Sequence, residues 1–356
     1  MNKTLCPPSA LGVFLLIALP ATGRSQTPPE PEARELETGT DALLQAVSAV
    51  DGRTVWVSGH QGAVLLTRDG GETWEPRHAP GGDSLEFRDV HGFDARRAVI
   101  LSAGEGGASR IYATEDGGET WSLRWLNPEP AGFYDCLDFW DDRRGVAYGD
   151  AVGGRLRILL TADGGRSWEL VRDDAVPDAL EGEGGFAASG TCVEAGADGR
   201  AWIVTGAGTR PRILHTADYG LTWRATDLPL VRGSAAGAFT VAFRDAAHGV
   251  VLGGDLERPE QTRSRVAVTA DGAETWRVAV APPFPGPVYG AARVPANGAL
   301  VVAGPEGLAM ADEDVTGWRA LDERSFWAVA AAGDTAWAVG PSGRILRLDW
   351  DPTDAP

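Results

Sequence analysis

Long hydrophobic runs are scarce in this 356-residue chain, and so is positive charge. Past the apolar stretch from Leu11 to Leu19, no segment approaches the roughly 20 apolar residues that a spanning helix requires, so no membrane span is expected. Lys and Arg total 32 against 50 Asp and Glu, a formal net charge of -18, which disfavours nucleic acid as a partner. Histidine (5) and cysteine (3) are few and dispersed. They form no metal-type cluster, and there is no Ser-His-Asp pattern, phosphate loop or dinucleotide fingerprint, so neither a metal nor a cofactor is expected. Two Met stand against thirteen Trp, and helix-period patterning is almost missing. A β-rich chain is expected.

Residues 1–25 read as an export signal, with Lys3 before the apolar run and small residues from Ala21 to Ser25 where a signal peptidase can cut. Cys6 precedes the apolar run, so it leaves with the signal and cannot serve as a lipid anchor. Residues 26–36, rich in Pro and Glu, read as a flexible leader. One domain then covers residues 37–352. The expected location is periplasmic or secreted, and the expected state is a monomer.

The chain is organised by a repeat. An octapeptide box recurs as TRDGGETW ending at Trp74, TEDGGETW at Trp121, TADGGRSW at Trp168, TADYGLTW at Trp223 and TADGAETW at Trp276, with a degenerate copy ending at Trp318. The spacing of these Trp residues suits four-stranded blades with loops of variable length. Two short β-type runs precede each box and a further apolar segment lies upstream, so each unit reads as a meander of strands A to D with the box between C and D. Counting strand A segments gives seven blades, hence an all-β, seven-bladed propeller of antiparallel blades.

Within the box, Asp69, Asp116, Asp163, Asp218 and Asp271 can accept turn N–H groups, and the Gly that follows supplies a positive φ. The terminal Trp74, Trp121, Trp168, Trp223 and Trp276 are large enough to wedge between sheets while the indole N–H finds a carbonyl. One carboxylate per turn falls short of the roughly six to eight oxygens that calcium takes. The last blade ends at RILRLDW with no outer strand, and an open edge invites aggregation. Residues 34–40 are expected to supply that strand by pairing with Arg344 to Leu348.

The boxes match the S/T-x-D-x-G-x-T-W pattern of bacterial neuraminidase (BNR, or Asp-box) repeats. With FYDCLDFWDDRRGVAYGD, FAASGTC and VAFRDAAHGVVLGGD, the chain resembles the photosystem II stability and assembly factor family and its bacterial relatives. The resemblance implies a protein-binding or assembly scaffold that uses one propeller face, with a protein or acidic peptide as partner.

Meander geometry puts the A–B and C–D turns on one face, here the box face, and the B–C and D–A connections on the other, the loop face. The long variable connections all belong to the loop face, where function usually sits on a rigid scaffold. Arg110, Arg157, Arg212, Arg265 and Arg344 each open a strand C there, and the family resemblance implies an arginine patch at such positions. Guanidinium groups can hold carboxylates bidentately, or each Arg can pair with a neighbouring acid as part of the repeat. Tyr134, Asp135, Asp138, Asp150, Phe186, Asp255, Tyr289 and Trp327 form a second, acidic and aromatic set around the expected central mouth, with turn and core roles as the alternative.

Catalysis of sialidase type is the competing function. It needs three Arg on a carboxylate and a Tyr nucleophile activated by an acid, and only Tyr134 and Tyr289 are placed for that. The Phe-Arg-Ile-Pro opening of sialidase domains is absent. Cys136 and Cys192 occupy equivalent strand A positions in neighbouring blades. They are candidates for one disulfide in an oxidising compartment, or for two small buried apolar residues.

Overall fold

The computed structural model describes residue 1 and residues 29–351. The export signal over residues 1–25 lies outside the described residues except for Met1, as does the start of the leader. Seven antiparallel sheets of four strands form a ring, each sheet one blade with strand A innermost. Blade 1 has strands Leu44–Ala49, Val55–Gly59, Val64–Thr67 and Glu75–Arg77. The other blades repeat this plan.

Strands A to C are almost wholly buried because each blade is sandwiched between two others, which accounts for their near-continuous apolar runs such as AVILS at Ala98–Ser102. Strand D is the most exposed strand of each blade and shrinks to Glu169–Leu170 in blade 3 and Arg277–Val278 in blade 5.

The box turns explain the spacing of the repeat. In blade 1, Asp69 accepts the Thr73 N–H at 2.9 Å and the hydroxyls of Thr67 and Thr73 at 2.7 and 2.6 Å. Thr67 Oγ1 in turn accepts the Gly71 N–H at 2.9 Å. The same contacts recur at Asp116, Asp163, Asp218 and Asp271. These donors favour the ionised carboxylate, and the Thr120 hydroxyl foremost among them draws Asp116 down to about 2. The indole N–H reaches a carbonyl in Trp168, Trp223 and Trp276, whereas Trp74 and Trp121 leave theirs unpaired. Packing holds those two: Trp121 meets Trp56 of the preceding blade edge-on at 6.1 Å.

The ring closes through the N-terminal segment. Strand Glu32–Leu36 is the outer strand of blade 7 and pairs with Ile345–Asp349, from Glu32 opposite Asp349 to Leu36 opposite Ile345. The closing strand therefore starts two residues before position 34, inside the stretch read as flexible leader, and ends at Leu36. Only Leu36 of this strand is buried, so a Pro- and Glu-rich composition conceals it in the sequence.

Blade 4 departs from the expected meander. Its innermost strand is the short Val193–Ala195, and Phe186 lies in the segment before it. Gly182 and Gly190, both with positive φ, let the chain leave the blade and cross the ring first. Cys136 and Cys192 are joined in a disulfide with Cα atoms 6.0 Å apart, linking the innermost parts of blades 3 and 4. The reading of two separate apolar residues gives way to the bridge.

Two outcomes check this architecture. Deleting residues 32–36 should cost about 3 kcal/mol by exposing the Ile345–Asp349 edge and releasing Leu36, read as a lower melting temperature; an unchanged one would overturn the closure. Replacing both Cys136 and Cys192 by Ala should cost roughly 4 kcal/mol in the chain-entropy account of a 56-residue separation. Two free thiols in the denatured, unreduced protein would contradict the bridge.

Candidate functional site

The central channel is closed at the loop face by blade 4. The segment from Glu183 to Thr191 crosses the ring and is tied to other blades at several points. Gln45 of blade 1 donates to the Ala187 carbonyl at 2.8 Å, and Ser189 donates to the Tyr289 carbonyl of blade 6 at 2.7 Å. Gly185 N–H donates to Asp150 of blade 3 at 2.7 Å.

An aromatic chain completes the closure. Phe186 stacks on Phe239 at 4.0 Å, Phe239 meets Tyr289 at 6.0 Å and Tyr289 meets Trp327 at 4.6 Å. Phe186, Tyr289 and Trp327 are thus brought together, but as a plug. Phe239, absent from the candidates named from sequence, belongs to it.

The acidic candidates divide. Asp135 is buried, and burial, reinforced by neighbouring Asp150, raises its pKa well above the ordinary carboxylate range. Asp150 is raised by burial as well. Asp255 is buried in its turn, where it accepts the Glu257 and Arg258 N–H groups and pairs with the Arg258 guanidinium. Tyr134 is buried and edge-on to Trp125, and burial pushes its phenol pKa up. Asp138 lies at the far end of its strand, Tyr134–Phe139, and faces the channel near the box face, away from the loop-face group.

The five arginines share a repeat position but not a fate. Arg265 is buried and donates to the carbonyls of Gly286, Pro282 and Phe284. Arg212 is buried in a two-pronged pair with Glu183, its Nε donating at 2.8 Å. Neither guanidinium is displayed to solvent. Arg157 holds Glu129 through Nε and Nη2 at 2.7 and 2.8 Å and is mostly buried, its side chain 12% exposed. Arg110 donates to the Gly107 carbonyl and Arg344 to the Ser325 carbonyl, and both remain half-buried on the rim. Arg88 joins them, 28% exposed beside Glu86 and reaching towards Ala187. Its strand A position falls outside the strand C repeat, so only the fold reveals it.

Below the plug, a cavity of about 430 Å³ follows the innermost strands to the box face. Its wall carries a belt of side chains that each accept an N–H from the next blade: Ser48 from Gly92, Asp89 from Leu137, Asp138 from Ala195 and Glu194 from Phe243, at 2.6 to 3.0 Å. Burial pushes Glu194 up to about 8, against the pull of nearby Arg293. Burial likewise raises Asp89.

No family model matches this chain, and no curated protein matches its sequence. Solved structures do match. YCF48 bound to D1 peptide aligns over 91% of this chain and 98% of its own, with a TM-score of 0.64 and 18% identity. This chain shares that fold. YCF48 from Cyanidioschyzon merolae aligns over 89% and 98%, with a TM-score of 0.61 and 18% identity. An inactive virginiamycin B lyase from Staphylococcus aureus aligns over 90% and 100%, with a TM-score of 0.60 and 13% identity. No helix among the described residues is long and apolar enough to cross a membrane.

The belt predicts a pH dependence. The unfolded chain releases the Glu194 proton near 4.5 and the native state keeps it to about 8, so the native state binds more protons between those values and stability falls as pH rises. Glu194→Gln keeps an oxygen for the Phe243 N–H and should flatten that fall in denaturant midpoints measured across the range. An unchanged slope would remove Glu194 from the account.

Proposed function

We propose that this chain is an exported, monomeric, non-catalytic propeller of the Asp-box kind, which holds a protein partner or acidic peptide against its loop face. The observation that carries the reading is a division of that face. Arg110, Arg344 and Arg88 keep partly exposed guanidinium groups on the rim and Arg157 a smaller exposed part, while Tyr134, Asp135, Asp150 and Tyr289 are largely buried with raised pKa values. Rim guanidinium groups already oriented by carbonyls and acids are preorganised for a second carboxylate. The likeness to YCF48 bound to D1 peptide supports a protein partner, as does the resemblance of the sequence to assembly factors.

A sialidase-type mechanism is disfavoured by the same geometry. Its nucleophile would be Tyr134 or Tyr289, and burial raises both phenols when activation requires the reverse.

Arg110→Ala combined with Arg157→Ala should weaken capture of carboxylate-rich peptides about tenfold, in fluorescence anisotropy, with little change in melting temperature. Arg212→Ala is the contrast: it strands buried Glu183 and should destabilise by about 3 to 5 kcal/mol. Unaltered peptide binding by the double variant, or turnover of a fluorogenic sialoside by the wild-type protein, would defeat the reading.

A further inference from the structure

The crevice between blades 3 and 4 on the box face differs from its counterpart between blades 2 and 3. In the latter, Glu115, second in the blade 2 box, pairs with Arg166, sixth in the blade 3 box, at 2.7 Å. The crevice beneath holds only about 20 Å³. One blade further on, the same two positions are Ala162 and Leu221, and the ion pair is gone. Between blades 1 and 2, Arg77 lies against Gly118 and donates to the Gly117 carbonyl, and its counterpart between blades 3 and 4 is the shorter Val171. The result is an open groove of about 620 Å³, within the size range of binding sites.

The lining departs from the repeat as well. Where four boxes place Gly70, Gly117, Gly164 and Gly272 at φ of +75° to +81°, the blade 4 box places Tyr219 at +61°. A bulky side chain in the left-handed region is strained, and such strain clusters at functional positions. Here it sets the Tyr219 ring in the groove, edge-on to Trp140 at 5.6 Å and beneath the Arg144 guanidinium at 3.6 Å. Leu221 is 65% exposed and Leu170 is 49% exposed along the same groove.

Charge narrows the occupant. The two lining arginines are paired with acids beyond the lining, Arg144 with Asp141 and Arg172 with Asp174. The lining carboxylates Asp163, Glu169 and Asp218 form no ion pair among the described residues; Asp163 and Asp218 accept bonds from their own turns and Glu169 is exposed, so the groove is largely apolar with a net negative rim. We propose that this groove docks an extended protein segment carrying apolar side chains next to a basic one. It lies on the box face, so the site is separate from the loop-face surface and does not depend on it.

The test copies the closed crevice into the open one. Ala162→Glu with Leu221→Arg rebuilds the Glu115–Arg166 pair, and a labelled decapeptide of alternating leucine and lysine is the probe, with a leucine–glutamate decapeptide as control. Fluorescence anisotropy should show the lysine peptide binding the wild-type protein and binding the paired variant at least about tenfold more weakly, with the glutamate peptide weak on both. Tyr219→Gly, which restores the repeat residue and removes the ring, should also weaken the lysine peptide and stands in if the double variant misfolds. Equal binding of the lysine peptide to wild-type and variant proteins would assign the attraction to general surface charge and overturn the proposal, as would no binding at millimolar peptide. Nile red displaced by the variant while peptide binding is unaffected would assign the groove to small molecules instead, and would equally overturn it.

Discussion

The structure depends most on the hydrogen bonds that innermost strands make across blade boundaries. Strands within a blade satisfy one another, but an innermost strand has an open inner edge, which backbone covers chiefly where blade 4 segments meet blade 5. Ser48, Asp89, Asp138 and Glu194 take up amides of the following blade, so each contact holds one sheet against the next. A carboxyl side chain serves well because its oxygen accepts the amide even when burial keeps the group protonated. The consequence is a set of carboxyls buried along the channel, two of them, Asp89 and Glu194, with raised pKa values. Stability near neutral pH is thereby coupled to groups that carry no chemistry.

The outer part of each blade is held by a different economy. The box turn is local, closing within eight residues, and works the same way five times. Its Asp oxygens are occupied by hydroxyl and amide donors of their own turn, and, beside the smaller changes Ala273 at the fifth and Ser167 at the seventh, the larger variation between blades falls at the second, fourth and sixth box positions. Those positions decide whether neighbouring blades are clasped by an ion pair, as with Glu115 and Arg166, or left open, as with Ala162 and Leu221.

The loop face shows how a scaffold converts a repeated residue into different roles. Arg265 and Arg212 became core contacts because the loops beside them are long enough to fold over the guanidinium group. Arg110, Arg157 and Arg344 stayed at the rim, where charge can be offered to a partner. The segment from Glu183 to Thr191 replaced an expected open mouth with a plug, so the proposed binding at that face falls to its rim.

Blade number, strand order, the box turns and closure by the N-terminal segment were legible in the sequence, because each rests on local periodicity or on an unpaired edge. What the sequence left open were properties of contact between distant segments: the Cys136–Cys192 bridge, the burial of Arg212 and Arg265, the aromatic plug and the raised pKa of Glu194. A repeat position names a place on a blade but not what the next blade or a crossing loop puts beside it. Local chemistry therefore determined the blades, and only the closed ring decided which side chains were used up in holding it and which were left exposed.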